Sequence, residues 1–184
     1  MKVFTEKEAE GFLKKYGFDI VKTKFVQSEK ELIKINFDFP VVMKVSSKKI
    51  IHKTKVNGII KGIKNKKQVL NAFRKLMKIK NAEGVLIQRQ VKGKEFLLGL
   101  KKTPEFDYVI GFGKGGSKVE KEKKVDFRIC GVKGVKDLTK NRRIKKLLLK
   151  LCNLSTLGIE SLDINPLILE KDKPVIVDAQ IVFE

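Results

Sequence analysis

The chain has 184 residues, 42% of them apolar, and its 42 Lys and Arg against 21 Asp and Glu give a formal net charge of +21. This length and apolar content allow a packed core in one domain or two small ones, and they exclude a wholly disordered chain. No stretch reaches the ~20 apolar residues of a membrane span, and charges come too early at the N-terminus for a signal peptide, so we expect a cytoplasmic protein.

The first predicted element is a helix that begins with a capping box. Thr5 and Glu8 supply the box, and Gly17 ends the helix. "FDIVKTKFV" then reads as extended chain, and "ELIKINFDFP" is either a short helix or a connector. The apolar run "VVMKV" at 41–45 predicts a buried strand that contains one lysine.

The middle of the chain predicts a helix and then several strands. Asn65 and Gln68 open the helix, and "GVLIQRQV" and "KEFLLGLKK" are two strands around a turn at 91–94. "YVIGFG" and "KKVDFRIC" are further strands, with the glycine-rich turn "KGGSK" after the first of them.

The C-terminal third predicts one helix and a hairpin. The helix runs from Asp137 or Thr139 to about Asn153, and two strands joined by a tight turn close the chain. Hairpins mixed with three helices indicate an α+β fold with a largely antiparallel sheet. Cys130 and Cys152 lie in apolar surroundings without a CxxC pattern, so we expect buried thiols.

The final hairpin carries a candidate metal site. If Lys171 and Asp172 form its turn, residues whose numbers sum to 343 lie opposite one another, and Asn165 and Asp178 are such a pair. Opposed Cβ atoms lie ~5 Å apart, which lets two oxygen ligands share a cation. Asp163 points to the same face if the strand is regular. An amide with a carboxylate suits Mg²⁺. The alternative is a solvated hairpin end whose Asn and Asp only cap turns, and the facing geometry alone does not overturn it.

Five segments, in this order, resemble the ATP-grasp subunit of ADP-forming acyl-CoA synthetases of the acetate–CoA ligase type. They are "FPVVMKVSSKKIIHKTKVNGI", "GVLIQRQVKGKEFLLGLKK", "FGKGG", "VEKEKKVDFRI" and "LDINPLILEKDKPVIVDAQI". The resemblance covers nearly the whole chain and extends to the β subunit of succinyl-CoA synthetase. It implies one ATP-grasp domain over 1–184, with subdomains near 20–85 and 86–184. It also implies Mg²⁺ and ATP or ADP as cofactors and a CoA-binding α subunit as partner in an α2β2 assembly.

The resemblance also implies a role for individual residues. Lys44 matches a lysine that contacts nucleotide phosphates, and His52 matches a histidine that carries a phosphoryl group between the α subunit and ADP. Arg128 matches a phosphate or loop contact and is assigned with His52 to the catalytic residues, and Asn165 and Asp178 match the two Mg²⁺ ligands. The remaining matches are nucleotide contacts at the adenine hinge, on a strand and in the glycine-rich turn: Gln88, Arg89, Gln90, Val91, Glu95, Gly113, Gly115, Gly116 and Glu120.

The chain also departs from the family pattern. Lys55 and Lys124 stand where the family has aspartate, Arg89 where it usually has glutamate, and Asn57 where it has glycine. A helical segment before 131–134 is absent as well. These differences near an anionic ligand are compatible with an altered or inactive site.

Three function classes therefore stay open. The first is the ATP-grasp subunit of an ADP-forming acyl-CoA synthetase. The second is a degenerate nucleotide-binding regulatory or scaffold protein. The third is a nucleic-acid-binding domain, suggested only by the +21 charge. A pocket for a polyanionic small molecule is another explanation of that charge, and we attribute it first to a lysine-rich compositional bias. With no tryptophan and two tyrosines for base stacking we do not expect a nucleic acid as partner, and without a long apolar stretch we do not expect a membrane.

Overall fold

A computed structural model of the chain describes residues 1–50, 53–115 and 125–184. The chain divides into two compact units, each with its own hydrophobic core. We call Met1–Ile20 together with Val91–Glu184 the discontinuous unit, and Val21–Gln90 the inserted unit. None of the helices described is long and apolar enough to cross a membrane.

The elements are as follows in chain order. The strands are β1 (Lys2–Val3), β2 (Thr23–Val26), β3 (Val41–Ser46), β4 (Ile59–Ile63), β5 (Gly84–Arg89), β6 (Lys94–Thr103), β7 (Asp107–Lys114), β8 (Val125–Ile129), β9 (Ile159–Glu170), β10 (Lys173–Ile176) and β11 (Ala179–Phe183). The helices are α1 (Glu6–Lys15), α2 (Glu29–Ile33), α3 (Lys66–Met77), α4 (Val132–Lys136) and α5 (Arg142–Cys152), and short 3₁₀ turns cover Lys53–Val56 and Asn153–Leu157. Every pair of strands among the described residues is antiparallel, so the predicted α+β class is confirmed.

The inserted unit is a four-stranded sheet in the order β2-β5-β3-β4. Helix α3 packs on one face of this sheet through its apolar stripe, which includes Val69, Phe73 and Leu76. The predicted start of α3 is confirmed, because the Asn65 side chain accepts the Gln68 N–H at 2.9 Å.

The discontinuous unit is a seven-stranded sheet in the order β1-β11-β9-β6-β7-β8, with β10 also paired to β9. Helices α1, α4 and α5 contribute to the core on one face of this sheet. We call the other face the open face. The predicted capping box of α1 is confirmed: the Thr5 N–H donates to Glu8 at 2.7 Å, and the Glu8 N–H donates to the Thr5 hydroxyl at 3.3 Å. Gly17 ends the helix with a φ of +72°.

Three expectations were wrong. The C-terminal helix begins at Arg142 because the Asn141 side chain accepts the N–H groups of Arg143 and Ile144, and the separate helix α4 precedes it. β5 and β6 do not form a hairpin, since β5 pairs with β2 and β3 whereas β6 pairs with β7 and β9. The cysteines are not thiols: Cys130 and Cys152 form a disulfide, with Cα atoms 5.5 Å apart.

Candidate functional site

The open face of the discontinuous unit is defined by strand alternation. Leu98 and Leu100 of β6 lie in the core, so Glu95, Leu97 and Gly99 between and before them face the opposite way. On β9, Ile164 lies in the core next to Asp163, which places the Asp163 carboxylate on the open face.

The predicted hairpin register is confirmed. Lys173 pairs with Glu170 and Ile176 with Leu167, and Ala179 pairs with Ile164 further along, so the sum of 343 holds through β10 and along β11 as far as Val182, after which the register shifts. Lys171 and Asp172 form the turn with φ values of 47° and 64°.

Asn165 and Asp178 lie opposite one another where the ladder passes from β10 to β11. The Asn165 N–H donates to the Asp178 carbonyl at 3.1 Å, and both side chains are half-buried. Each is next to a core residue, Ile164 or Ala179, and alternation from these neighbours directs both toward the open face. The next core pair, Leu167 and Ile176, lies three positions from Ile164 and Ala179, so the regular alternation of the ladder is interrupted at this pair. An amide oxygen and a carboxylate brought together in this way fit a Mg²⁺ ion that completes its shell with phosphate and water. Their role as ligands stays a prediction.

Asp163 lies beside this pair in an unusual row. It opposes Gln180 on one side and Gly99 on the other, and Gly99 in turn opposes Gly111. Desolvation raises the pKa of Asp163, although the nearby Lys101 ammonium acts against the shift. A Cβ at position 99 would lie 3.3 Å from the Asp163 carboxylate, so glycine leaves room beside this group.

Glu95 and the glycines of β7 also belong to this face or its border. Glu95 is half-buried, and its carbonyl accepts the Gly115 N–H at 2.9 Å. A Cβ at position 115 would meet the Phe96 backbone at 2.6–2.8 Å, so only glycine fits there. Gly113 pairs with Leu97 within the sheet. The structure therefore brings Glu95, Gly113, Asn165 and Asp178 onto one sheet face, with Gly115 held at its border.

Arg128 lies elsewhere on the same sheet. It lies on the edge strand β8 and pairs with Ile110, a core residue. Its side chain therefore lies on the core face of the sheet, whereas the Asp163 carboxylate lies on the open face. Its Nη1 donates to the Phe127 carbonyl at 2.8 Å. The described contacts do not place Arg128 beside the carboxylates of Asp163 and Asp178, and its catalytic role stays a prediction.

Lys44 lies in the middle of β3 in the inserted unit. Met43 and Val45 on either side are in the core, so Lys44 faces the other way, where it pairs with Leu86 and Ile59. Only 3% of Lys44 is exposed. A buried ammonium requires acceptors or anions close by, which is compatible with the predicted contact to phosphates.

The predicted adenine hinge lies at the end of β5. The Gln88 side chain is buried, the Gln90 N–H donates to the Pro40 carbonyl at 2.8 Å, and the Gln90 side chain accepts the Gly62 N–H at 2.8 Å. The side chain of Gln90 is thus engaged with β4. Arg89 is half-buried, and Val91, which begins the second segment of the discontinuous unit, is buried.

Several predicted residues lie outside the described residues: His52, Gly116, Glu120 and Lys124. The residues that follow His52 are described from position 53 onward. They include Lys55, which is exposed, and Asn57, whose φ is 51°. Asparagine tolerates this left-handed conformation better than most residues, so it is a compatible replacement for the family glycine.

No sequence pattern pointed to Gly99, Gly111 or Gln180. Of these three, only Gln180 had a signal in the hairpin register, since its number and that of Asp163 also sum to 343. Within the described ranges no group of three His, Cys, Asp or Glu side chains could hold a metal.

Comparison with known proteins identifies the family. The sequence profile of the ATP-grasp domain matches residues 1–155. The acetate–CoA ligase [ADP-forming] I β subunit of Pyrococcus furiosus is 31% identical over 97% of this chain and 90% of its own length. This chain belongs to the ATP-grasp family of ADP-forming acyl-CoA synthetases.

Other relatives in this family are longer than this chain. Acetate–CoA ligase [ADP-forming] II of Archaeoglobus fulgidus is 37% identical over 96% of the chain, which spans only 30% of that protein. The 4-hydroxybutyrate–CoA ligase [ADP-forming] of Nitrosopumilus maritimus is also 37% identical, and the chain spans 22% of it.

Solved structures agree with the ATP-grasp fold. The dinucleotide-forming acetyl-coenzyme A synthetase 1 of Ca. Korarchaeum cryptofilum, in complex with coenzyme A and Ca-AMPCP, superposes with a TM-score of 0.87 at 26% identity over all of this chain and 94% of that one. A second complex of the same enzyme contains coenzyme A and Mg-AMPPCP, with its phosphohistidine segment pointing towards the nucleotide binding site. It matches at a TM-score of 0.79 and 25% identity, over all of this chain and 93% of that one.

Proposed function

We propose that this chain is the nucleotide-binding component of an ADP-forming acyl-CoA synthetase and acts with a CoA-binding α subunit. The reaction is acyl-CoA + ADP + phosphate ⇌ acid + CoA + ATP. The observation that carries the proposal is the opposition of Asn165 and Asp178 in the final hairpin, in a chain of this family.

We assign different parts of the nucleotide to different described residues. Asn165 and Asp178 would hold Mg²⁺, which when bound would neutralise phosphate charge. Lys44 would hold the phosphates from a rigid strand, and the backbone of 88–90 would bind the base, since the Gln90 side chain already bonds to Gly62. Glu95 and Gly115 would position the border of the site through the 2.9 Å bond between their backbones.

His52 would carry the phosphoryl group. Imidazole is nucleophilic near neutral pH, so it can accept the group from the α subunit and pass it to ADP. His52 is the only histidine of the sequence. Any phosphohistidine found on this chain is therefore assigned to position 52 without peptide mapping.

The test is reconstitution with a CoA-binding α subunit. We expect ATP to form when acetyl-CoA, ADP, phosphate and Mg²⁺ are supplied, and acid-labile phosphate to appear on this chain. His52→Asn should abolish both signals while Mg·ADP still binds. Absence of ATP from every acyl-CoA tested, with no phosphate on the chain, would contradict the proposal.

A second candidate is a nucleotide-binding regulatory protein without turnover. Lys55 favours it, because this exposed cation replaces the aspartate that could orient the imidazole. Calorimetry would then show Mg·ATP binding to a chain that never becomes phosphorylated. Replacing Lys55 by Asp discriminates the two candidates, since restoration of phosphorylation by Lys55→Asp alone would show that the native site is degenerate.

A further inference from the structure

Strand β8 is the last strand of the seven-stranded sheet. Among the described residues its one strand partner is β7, on one side. The backbone groups on its other side form a sheet edge, and an exposed apolar edge can pair with a strand of another chain.

The hydrogen-bonding pattern shows which residues present their backbone outward. The Cys130 N–H donates to the Tyr108 carbonyl at 2.9 Å, so Cys130 is bonded to β7. In an antiparallel pair, residues that bond to the neighbouring strand alternate with residues that do not. Counting back from Cys130, Arg128 and Asp126 are therefore also bonded to β7. Val125, Phe127 and Ile129 therefore direct their N–H and C=O groups away from β7.

The side chains of β8 divide into two kinds. Phe127 is 60% exposed and Ile129 is 54% exposed, and with Val125 they occupy the open face. Asp126 and Arg128 occupy the other face, and both are exposed. The strand thus presents apolar groups on one face and one charge of each sign on the other.

This five-residue strand is complementary to itself in antiparallel pairing. With a two-fold axis at Phe127, Val125 lies opposite Ile129 of the second copy and Asp126 lies opposite Arg128 of the second copy. Opposed unlike charges and opposed apolar side chains both stabilise a strand pair. We propose that β8 pairs with β8 of a second copy of this chain, centred on Phe127, and joins two sheets into one.

Two contacts of the present structure bear on this pairing. The Arg128 guanidinium now donates to the Phe127 carbonyl at 2.8 Å, and in the dimer the Phe127 N–H of the second copy takes its place while Arg128 turns to Asp126. Gly134 of α4 lies against the Ile129 carbonyl, where a Cβ would come within 2.0 Å of the oxygen. Four backbone bonds remain without that carbonyl: two between the Phe127 residues and two from Ile129 N–H to Val125 C=O.

The contact is small, so the dimer is weak. Two short strands bury less surface than a permanent interface, and two chains with a charge of +21 repel one another. At physiological ionic strength the screening length of about 8 Å limits that repulsion while the local ion pairs persist. We expect a dissociation constant of about micromolar order.

Sedimentation equilibrium over a wide range of protein concentration tests the proposal, with Asp126→Arg, Arg128→Asp and the double exchange as variants. Each single change places like charges opposite one another twice, and we expect it to weaken the dimer about tenfold or more. The double exchange restores both ion pairs and should restore the dimer. Lys2→Glu, on the opposite edge strand β1, changes the net charge as Arg128→Asp does and should have no such effect.

The wild-type chain provides a readout that does not depend on variants. As protein concentration rises, hydrogen exchange at the Phe127 and Ile129 amides should slow, whereas the Cys130 amide, already bonded to β7, should not change. A chain that stays monomeric at all concentrations overturns the proposal. So does a dimer that ignores the single exchanges, and so does a folded double exchange that fails to associate.

Discussion

Lys44 provides the most direct residue-scale prediction. Replacing it by Met keeps a long side chain on β3 but removes a charged contact of ~1.5–3 kcal/mol, so we expect the dissociation constant of Mg·ADP to rise about 10- to 100-fold. Isothermal titration calorimetry measures this change. Lys24→Met, an exposed lysine on β2 of the same sheet, is the matched control and should bind as the wild type does. Equal affinity of the two variants would remove Lys44 from the site.

Asn165 and Asp178 predict a change in metal dependence. Asn165→Ala or Asp178→Asn should raise the Mg²⁺ concentration needed for ADP binding about tenfold or more, because each removes an oxygen ligand or its charge. Titration of a fluorescent ADP analogue at several Mg²⁺ concentrations measures it, and binding without Mg²⁺ should not change.

Asp172→Asn is the control for this pair. Asp172 lies in the turn of the same hairpin with a φ of 64°, a conformation that asparagine also adopts, so the substitution removes a carboxylate without straining the turn. If Asp172→Asn shifted the Mg²⁺ requirement as much as Asp178→Asn does, the metal site would not be at the 165–178 pair.

At the scale of residues, more of the candidate site could be predicted from the sequence than is usual. The 165–178 opposition followed from one assumption about the turn at 171–172, because the turn of a hairpin fixes the pairing register of its two strands. The face of Arg128 could not be derived in the same way. It depends on which side of β7 faces the helices, and no pattern in "VDFRI" shows that.

The disulfide between Cys130 and Cys152 gives a prediction at the scale of elements. It joins the end of β8 to the end of α5 across a sequence separation of 22 residues. Closing a loop of this length stabilises a fold by about 3 kcal/mol in the chain-entropy description. We therefore expect reduction to lower the Tm by about 6–12 °C in a chain of this size.

Calorimetric scans with and without a phosphine reductant measure this effect. The double variant Cys130→Ala, Cys152→Ala is the control, since its Tm should be low already and insensitive to reductant. A wild-type Tm that does not respond to reductant, together with two titratable thiols before reduction, would show that the bond is not formed in solution.

The elements that the sequence predicted best are those with local signals. The caps at Thr5 and Asn65 fixed the starts of α1 and α3, because a side chain that bonds a helix N–H is specified by residues three apart. The start of α5 was misplaced because Thr139 is also a good capping residue. Its hydroxyl instead accepts the Asn141 N–H, and the Asn141 side chain caps the helix.

Over the whole molecule, the order of elements along the chain does not show which of them share a sheet. Residues 1–20 belong with 91–184, and β5 and β6 enter different sheets although four residues separate them. Such long-range pairings depend on core packing between distant segments, for which local patterns carry no signal. Resemblance to the ATP-grasp family supplied the fold where residue patterns supplied only the class.

The net charge of +21 gives the last prediction, at the same scale. Cations occur in most elements of both units, including the first turns of α3 and α5, and this distribution differs from a basic stripe along one groove. We expect fluorescence anisotropy to show binding to duplex and single-stranded oligonucleotides only at low salt, with little dependence on sequence and a steep loss of affinity as salt rises. Binding that persisted at physiological salt and selected one sequence or structure would require a shaped nucleic-acid site, and the charge could then no longer be attributed to composition. Mg·ADP binding under the same conditions is the comparison, because a specific nucleotide site that also forms uncharged contacts to the base loses less affinity with salt than a purely electrostatic one.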